Sequence, residues 1–332
     1  MEILCRCLRA FFIALKRGEG VDIVISELQK EQTVIGFFAV KEIMEKETRE
    51  TRKKYLDLTL LDGSGQINGK VWDIADVIQG EIPGVGDIVK VDALVQEYRG
   101  SLQLKVNKLR KATDADSYEK QKIIPAAPAP AEQMLETILR FAEEIADQPL
   151  RAACLHIIHK YKGQIMTHPA AKTRHHSYKS GWLQHVTTML LVAEKLTTIY
   201  SCNKDLLYAG IIFHDIGKLQ ELKSDQLCVG IEYSTVGELL GHISLGLAEM
   251  ETVPNLDSQR KHLLQHMILS HHENPEWGSP VKPMFKEAEL LHLLDLMDTR
   301  MFDFEKCTKP LEKGALSGKV YELDRKIYNP LI

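Results

Sequence analysis

The sequence predicts a multidomain α+β chain, a small N-terminal β-barrel followed by an all-α helical bundle. Three observations predict it. Residues 21–112 alternate apolar and polar side chains between turn-forming clusters, residues 113–131 are polar and then Pro/Ala-rich, and from residue 132 onward the apolar spacing becomes helical. At 332 residues the chain is long enough for two buried cores.

The elements follow in order. Residues 34–40 form a short apolar run, and Leu56, Leu58 and Leu60 alternate with Asp57 and Thr59, the period of a half-buried strand. Asp62-Gly63-Ser64-Gly65 turns the chain, residues 66–72 return as a strand, and residues 73–79 make a short helical connection. Val89, Val91, Ala93 and Val95 then alternate, Tyr98-Arg99-Gly100-Ser101 turns again, and Leu102, Leu104 and Val106 line the last strand. Five short strands within roughly 90 residues suit a small closed barrel. In residues 113–131, Pro125-Ala126-Ala127-Pro128-Ala129-Pro130 reads as a semi-rigid spacer. In residues 132–332, Met134, Leu135, Ile138, Leu139, Ala142 and Ile145 mark one helical stripe that Pro149 ends. Further helices are expected at 150–161, 182–199, 204–213, 235–250, 257–270 and 286–302.

The ends and the composition restrict function. Residues 1–20 are an N-terminal extension, either an amphipathic helix docking on the body or an extended start of translation. Its apolar run 10–15 is far short of the roughly 20 residues that span a bilayer. Forty-four per cent hydrophobic and 27% charged residues with a net charge of −4 exclude collagenous, coiled-coil and wholly disordered chains, and a broadly basic nucleic-acid protein. Six scattered cysteines without a CxxC suit a reducing cytoplasm, and no membrane partner is expected. All thirteen histidines lie between His156 and His292, which places the chemistry in the helical part.

Within that part, metal-ligand residue types recur on successive helices: His185, His214-Asp215, His242, His271-His272, then Asp295 and Asp298. The intervals from His185 to His214, to His242 and to His271 are 29, 28 and 29 residues. Each is one helix plus its connection, so antiparallel packing would bring the ligands to one level of a bundle. Imidazole with a few carboxylates suits Mn, Fe, Zn or Ni. A histidine alone on an apolar helix face is ordinarily a satisfied core or surface residue, a reading that suits His156, His159, His262, His266 and His292. It suits His214-Asp215 poorly, since a polar pair after the apolar run 206–213 needs compensation. Six or seven candidates exceed one site's usual complement and favour two ions about 3.5–4 Å apart, bridged by Asp215.

This ordered set resembles the HD-domain metal-dependent phosphohydrolases. The segment His175-His176-Ser177-Tyr178-Lys179-Ser180-Gly181-Trp182-Leu183-Gln184-His185 is similar to a block of the YhaM-type 3′-5′ exoribonucleases. Leu240-Gly241-His242-Ile243-Ser244 and Pro275-Glu276-Trp277-Gly278-Ser279-Pro280 are similar to later blocks, and a barrel before an HD domain is that family's arrangement. The resemblance implies hydrolysis of single-stranded RNA or DNA from the 3′ end to 5′-mononucleotides by metal-activated water, with Mn²⁺ as cofactor and no protein nucleophile. It assigns His185, His214, Asp215 and Asp295 to one ion and Asp215, His242, His271 and His272 to the second, with Asp298 as the alternative last aspartate. The family's tendency to assemble makes a homo-oligomer an expectation.

Lys218, three residues after Asp215, is expected on the same side and in contact with the scissile phosphate; a solvated lysine after a helix end is the alternative. His175, His176, Tyr178 and Lys179 are candidates for a substrate groove, or else for loop packing. The barrel resembles an OB fold, which binds single strands by aromatic stacking beside basic groups. Phe38, Trp72 and Tyr98 with Lys70, Arg99 and Lys105 are the candidates there, and residues 88–111 carry six Lys/Arg against two acidic residues. Two other readings are an HD phosphohydrolase of nucleotides or cyclic dinucleotides, which leaves the barrel unexplained, and a non-catalytic nucleic-acid-binding protein, which leaves the intact ligand set unexplained.

Overall fold

A computed structural model describes residues 24–48, 51–225 and 228–332. The N-terminal extension, residues 1–20, lies outside the described residues. The chain divides after Pro125 into two compact units.

In the first unit, β1 (Thr33–Glu47), β2 (Lys54–Asp62), β3 (Gly65–Val71), β4 (Ile88–Tyr98) and β5 (Ser101–Lys111) close into a barrel in the order β1-β2-β3-β5-β4. Closure depends on β1, which is twice the length of the predicted run. Its first half pairs with β4 and its second half with β2, and the register shift between Val40 and Glu42 lets it bend from one partner to the other. The predicted alternation is the wall of the barrel: Leu58, Leu60, Val89, Val91 and Leu104 are fully buried. Arg99 (φ 51°) and Gly100 (φ 80°) are both left-handed, as a two-residue hairpin turn between β4 and β5 requires. A short helix, α1 (Ile74–Val77), connects β3 towards β4.

Residues 113–124 are fastened to the barrel and are not a free spacer. Asp116 accepts two 2.6 Å hydrogen bonds from Arg110, the Tyr118 ring stacks on Phe37 at 4.7 Å, and Ile123 and Ile124 are buried at α2 (Lys120–Ile123). Two adjacent isoleucines in a polar stretch anchor it.

One ion cluster gives the first unit a measurable pH response. Asp57 accepts from Lys46 (2.6 Å), Lys70 (2.5 Å) and Asn68 (2.8 Å). Burial opposes ionisation, but these hydrogen bonds bring the carboxyl from 3.8 down to about 2. A depressed carboxyl stabilises the fold above its unfolded pKa, and that contribution is lost as pH falls through the folded value. Acid unfolding of the full chain, followed by circular dichroism between pH 5 and 2, should therefore lose less stability over that interval in Asp57→Asn than in the parent.

The second unit is built on α3 (Ala131–Glu144), α4 (Gln148–Ile165), α5 (Gly181–Leu196), α6 (Lys204–Phe213), the short α7 (Lys218–Glu221), α8 (Thr235–Met250), α9 (Ser258–Ser270) and α10 (Lys286–Thr308). Phe141, Trp182, Tyr208 and Phe213 are its largest buried side chains. The first of these helices ends at Glu144, and Pro149 instead lies in the first turn of α4, where its missing N–H is no loss and Asp147 caps Leu150 N–H. The bundle is not purely helical. Two hairpins, β6–β7 (Leu222–Lys223 with Glu232–Tyr233) and β8–β9 (Leu316–Val320 with Arg325–Tyr328), are too short for a period to register in the sequence. No helix among the described residues is long and apolar enough to cross a membrane.

Candidate metal centre

The helical unit brings the distant histidines together in one buried pocket. His185 projects from the first two turns of α5, His214 caps the C-terminus of α6, His271 caps α9, and Asp295 lies on α10. His242 needs a special backbone. Inside α8, Gly241 leaves the helical region (φ 67°, ψ 159°), a conformation that favours glycine, and the kink presents His242 N–H to Glu221 Oε1 at 2.9 Å. The Pro275-Glu276-Trp277-Gly278-Ser279 block orients His272: its backbone N–H donates to Ser279 Oγ and its Nδ1 to the Trp277 carbonyl.

The five imidazoles share one polarity. Nδ1 of His214, His271 and His272 meets the carbonyls of Ile211 (2.8 Å), Ile268 (2.7 Å) and Trp277 (2.6 Å), and Nδ1 of His185 and His242 meets Asp298 Oδ2 (2.7 Å) and Glu221 Oε1 (3.1 Å). Each acceptor fixes the hydrogen on Nδ1 and leaves the Nε2 lone pair for the centre. Asp215 lies among them. Its Oδ2 is 3.3 Å from His214 Nε2 and 3.7 Å from His185 Nε2, and its Oδ1 is 3.6 Å from His271 Nε2 and 3.8 Å from His242 Nε2. Asp295 Oδ1 lies 3.5 Å from His185 Nε2.

These residues fit a divalent cation. Nε2 of His185 and of His214 face each other at 3.2 Å, and two lone pairs at that distance repel unless a cation lies between them. Burial alone would make His185 harder to protonate, but the hydrogen bond and charge of Asp298, with Asp295 and Asp215, raise its pKa. Asp215 Oδ1, His242 Nε2 and His271 Nε2 are buried without a hydrogen-bond partner. Burial holds His271 well below the ordinary histidine range, in its neutral, ligating form. Burial works against ionising Asp215, yet the Lys218 charge and then His214 keep its carboxyl well below the usual range.

The loop before α7 is packed tightly enough to exclude a side chain. Trp182 Nε1–H donates to the Asp215 carbonyl, His168 Nε2 meets the Lys218 carbonyl at 2.9 Å, and a Cβ on Gly217 would overlap the His242 carbonyl oxygen. Gly217→Ala is therefore expected to destabilise the helical unit by roughly 1–3 kcal/mol, the usual result of forced overpacking, in a thermal unfolding measurement.

Several predicted positions are corrected by their surroundings. His176 is buried, with Nδ1 at 2.7 Å from the Tyr178 hydroxyl and Nε2 at 2.8 Å from Asp298. Both nitrogens are spent inside the protein, so His176 is a positioning residue and not part of a groove; Tyr178, whose hydroxyl also meets Gln184 Oε1 at 2.7 Å, belongs to the same support. Lys218 does point to the Asp215 side, but as a buried ion pair 2.5 Å from Oδ2 and not as a solvated lysine. On the barrel, Phe38 has no exposed surface, because its position in β1 faces the core, and it cannot stack on a base. Lys70 is committed to Asp57. Trp72, whose ring lies tilted against Tyr55 at 4.7 Å, and Tyr98, with Arg99 over its ring at 5.2 Å, are exposed, as is Lys105. The sequence reading missed Glu221, an acidic residue one turn after Lys218 that meets His242 only through the kink at Gly241.

A helical bundle that converges imidazole nitrogens and a buried aspartate on one point is an HD-type metal-dependent hydrolase, and the HD domain model matches residues 182–300. An OB-fold nucleic acid binding domain model matches residues 40–112. The 3′-5′ exoribonuclease YhaM of Listeria monocytogenes is 36% identical over 90% of this chain and 96% of its own length, and that of Bacillus subtilis is 36% identical over 84% and 89%. The chain belongs to the YhaM 3′-5′ exoribonuclease family. This membership does not favour the nucleotide-hydrolase and non-catalytic readings. Among solved structures, the second OB-fold domain of replication protein A from Methanococcus maripaludis aligns with a TM-score of 0.23 and 24% identity, covering 30% of this chain and all of that one.

Proposed function

We infer that the chain is a metal-dependent exoribonuclease that shortens single-stranded RNA, and by the same chemistry single-stranded DNA, from the 3′ end to 5′-mononucleotides. The observation that carries this is the common polarity of the five imidazoles around Asp215. His185, His214, Asp215 and Asp295 would hold one ion and Asp215, His242, His271 and His272 a second; Mn²⁺ suits this nitrogen and carboxylate set. When bound, such ions lower the pKa of water and neutralise charge developing on the phosphate. Asp215 spans the two groups, Lys218 keeps it ionised and brings a cation to where a phosphate would sit, and Asp298 and Glu221 hold His185 and His242 in register. Tyr98, Arg99, Trp72 and Lys105 supply an exposed aromatic and basic surface on which a single strand can stack.

The test uses a 5′-labelled single-stranded RNA with Mn²⁺ or EDTA. A ladder shortening from the 3′ end and abolished by EDTA is expected; retained shortening in EDTA would remove the metal mechanism. Tyr98→Ala should weaken RNA binding by roughly 1–3 kcal/mol, the value of one base stack, without changing metal content. Unchanged binding would move the RNA path off this surface.

A further inference from the structure

His175 stands apart from every other histidine in the described structure. It is 9% exposed, and both ring nitrogens are buried without a hydrogen-bond partner. Among the described residues, the other buried side-chain atoms in that condition are Asp215 Oδ1, His242 Nε2 and His271 Nε2, all atoms that converge on the metal centre. A buried polar group left unpaired costs about 1–3 kcal/mol, so an imidazole with two such atoms needs an explanation.

Its surroundings supply one. A ring nitrogen of His175 lies within 4.8 Å of ligand atoms of both His185 and Asp295, which themselves approach to 3.5 Å, and its ring centroid is 5.3 Å from that of His185. The local backbone places it there. His176 adopts a left-handed conformation (φ 51°), and its carbonyl accepts from Ala170 N–H (3.1 Å) and Tyr178 N–H (2.9 Å). The same carbonyl leaves no room for a Cβ on Gly181. This tight turn sends the neighbouring histidines to different tasks: His176 reaches Asp298 and Tyr178, while His175 is left with bare nitrogens beside His185 and Asp295.

We propose that His175 is a further protein ligand of the ion held on the His185 and Asp295 side, so that this ion has one more imidazole than the sequence pattern assigns. The proposal rests on the metal reading above, and its test separates the two. Mn²⁺ binding to the full chain is measured by calorimetry or electron paramagnetic resonance for the parent, for His175→Ala, and for His175→Ala with added imidazole. The expected result is a loss of roughly tenfold or more in affinity for one ion, as changes around metal ligands typically give, with recovery by free imidazole. Unchanged affinity in folded His175→Ala overturns the ligand role while leaving the metal reading intact, and a parent that binds no Mn²⁺ overturns both. Should the variant not fold, Mn²⁺-loaded crystals of the parent decide. A His175 nitrogen within about 2.3 Å of the ion, a usual metal–imidazole distance, supports the role, and one beyond 3 Å refutes it.

Discussion

Asp215→Asn is expected to lower the rate of 3′ shortening by roughly a thousandfold or more, since one pre-organised charge-stabilising group is commonly worth about 10²–10³ in rate and this carboxylate serves two groups of ligands. Its two oxygens lie between 3.3 and 3.8 Å from four inward-facing imidazole nitrogens, so the substitution removes the shared member of both proposed ion sites. It also strands Lys218. That ammonium is buried, and its pKa is raised: burial opposes the charge, but Asp215 and then Asp295 outweigh burial. Removing one partner of a buried pair typically destabilises by about 3–5 kcal/mol. The single variant thus confounds lost chemistry with lost stability, and the double variant Asp215→Asn/Lys218→Met separates them. It should regain much of the thermal stability while staying inactive and metal-poor. Lys218→Met alone strands the Asp215 carboxylate in turn, so it should lose stability in the metal-free protein as well as rate, and added Mn²⁺ should restore the stability but not the rate. Full activity in Asp215→Asn, measured on the labelled RNA, would contradict the whole centre.

Much of the site was legible because its residue types are rare in apolar helices and their spacing is regular. His185, His214, His242 and His271 each sit one helix apart, and the bundle does bring them to one level. The strands of the barrel were legible for a similar reason, since Leu56 to Leu60 and Val89 to Val95 state their period within a few residues. What could not be read is which way a side chain turns. Phe38 and Tyr98 look alike in a list of barrel aromatics, yet one lies in the core and the other in water, because Phe38 pairs with Val89 on the inward face of β1 whereas Tyr98 stands at the hairpin end of β4, beside the turn at Arg99. His175 and His176 are adjacent and were indistinguishable until the left-handed turn at His176 separated them. Glu221 was invisible because its role depends on the kink at Gly241, which no period announces.

Asp295 and Asp298 are the pair that spacing could not order, and their geometry predicts different phenotypes. Both lie on α10, one turn apart, and both reach His185, but at opposite nitrogens. Asp295 Oδ1 is 3.5 Å from Nε2, the ligating side, whereas Asp298 Oδ2 accepts from Nδ1 at 2.7 Å and from His176 Nε2 at 2.8 Å. Burial would raise the Asp298 carboxyl, yet the hydrogen bonds from His176 and His185 hold it well below the usual range, so it stays an acceptor. Asp295→Asn should therefore lose the ion on that side and nearly all activity. Asp298→Asn keeps an oxygen that can accept from one of the two imidazoles, and should reduce metal affinity by roughly 10–100-fold, the range for residues that orient a ligand. Activity in Asp298→Asn should recover at high Mn²⁺, because a positioning defect weakens binding without deleting a donor. Recovery in Asp295→Asn but not in Asp298→Asn would exchange the two roles. His176→Ala should follow Asp298→Asn in a milder form, since the carboxylate then keeps its bond to His185 and loses only the second donor that fixes its position.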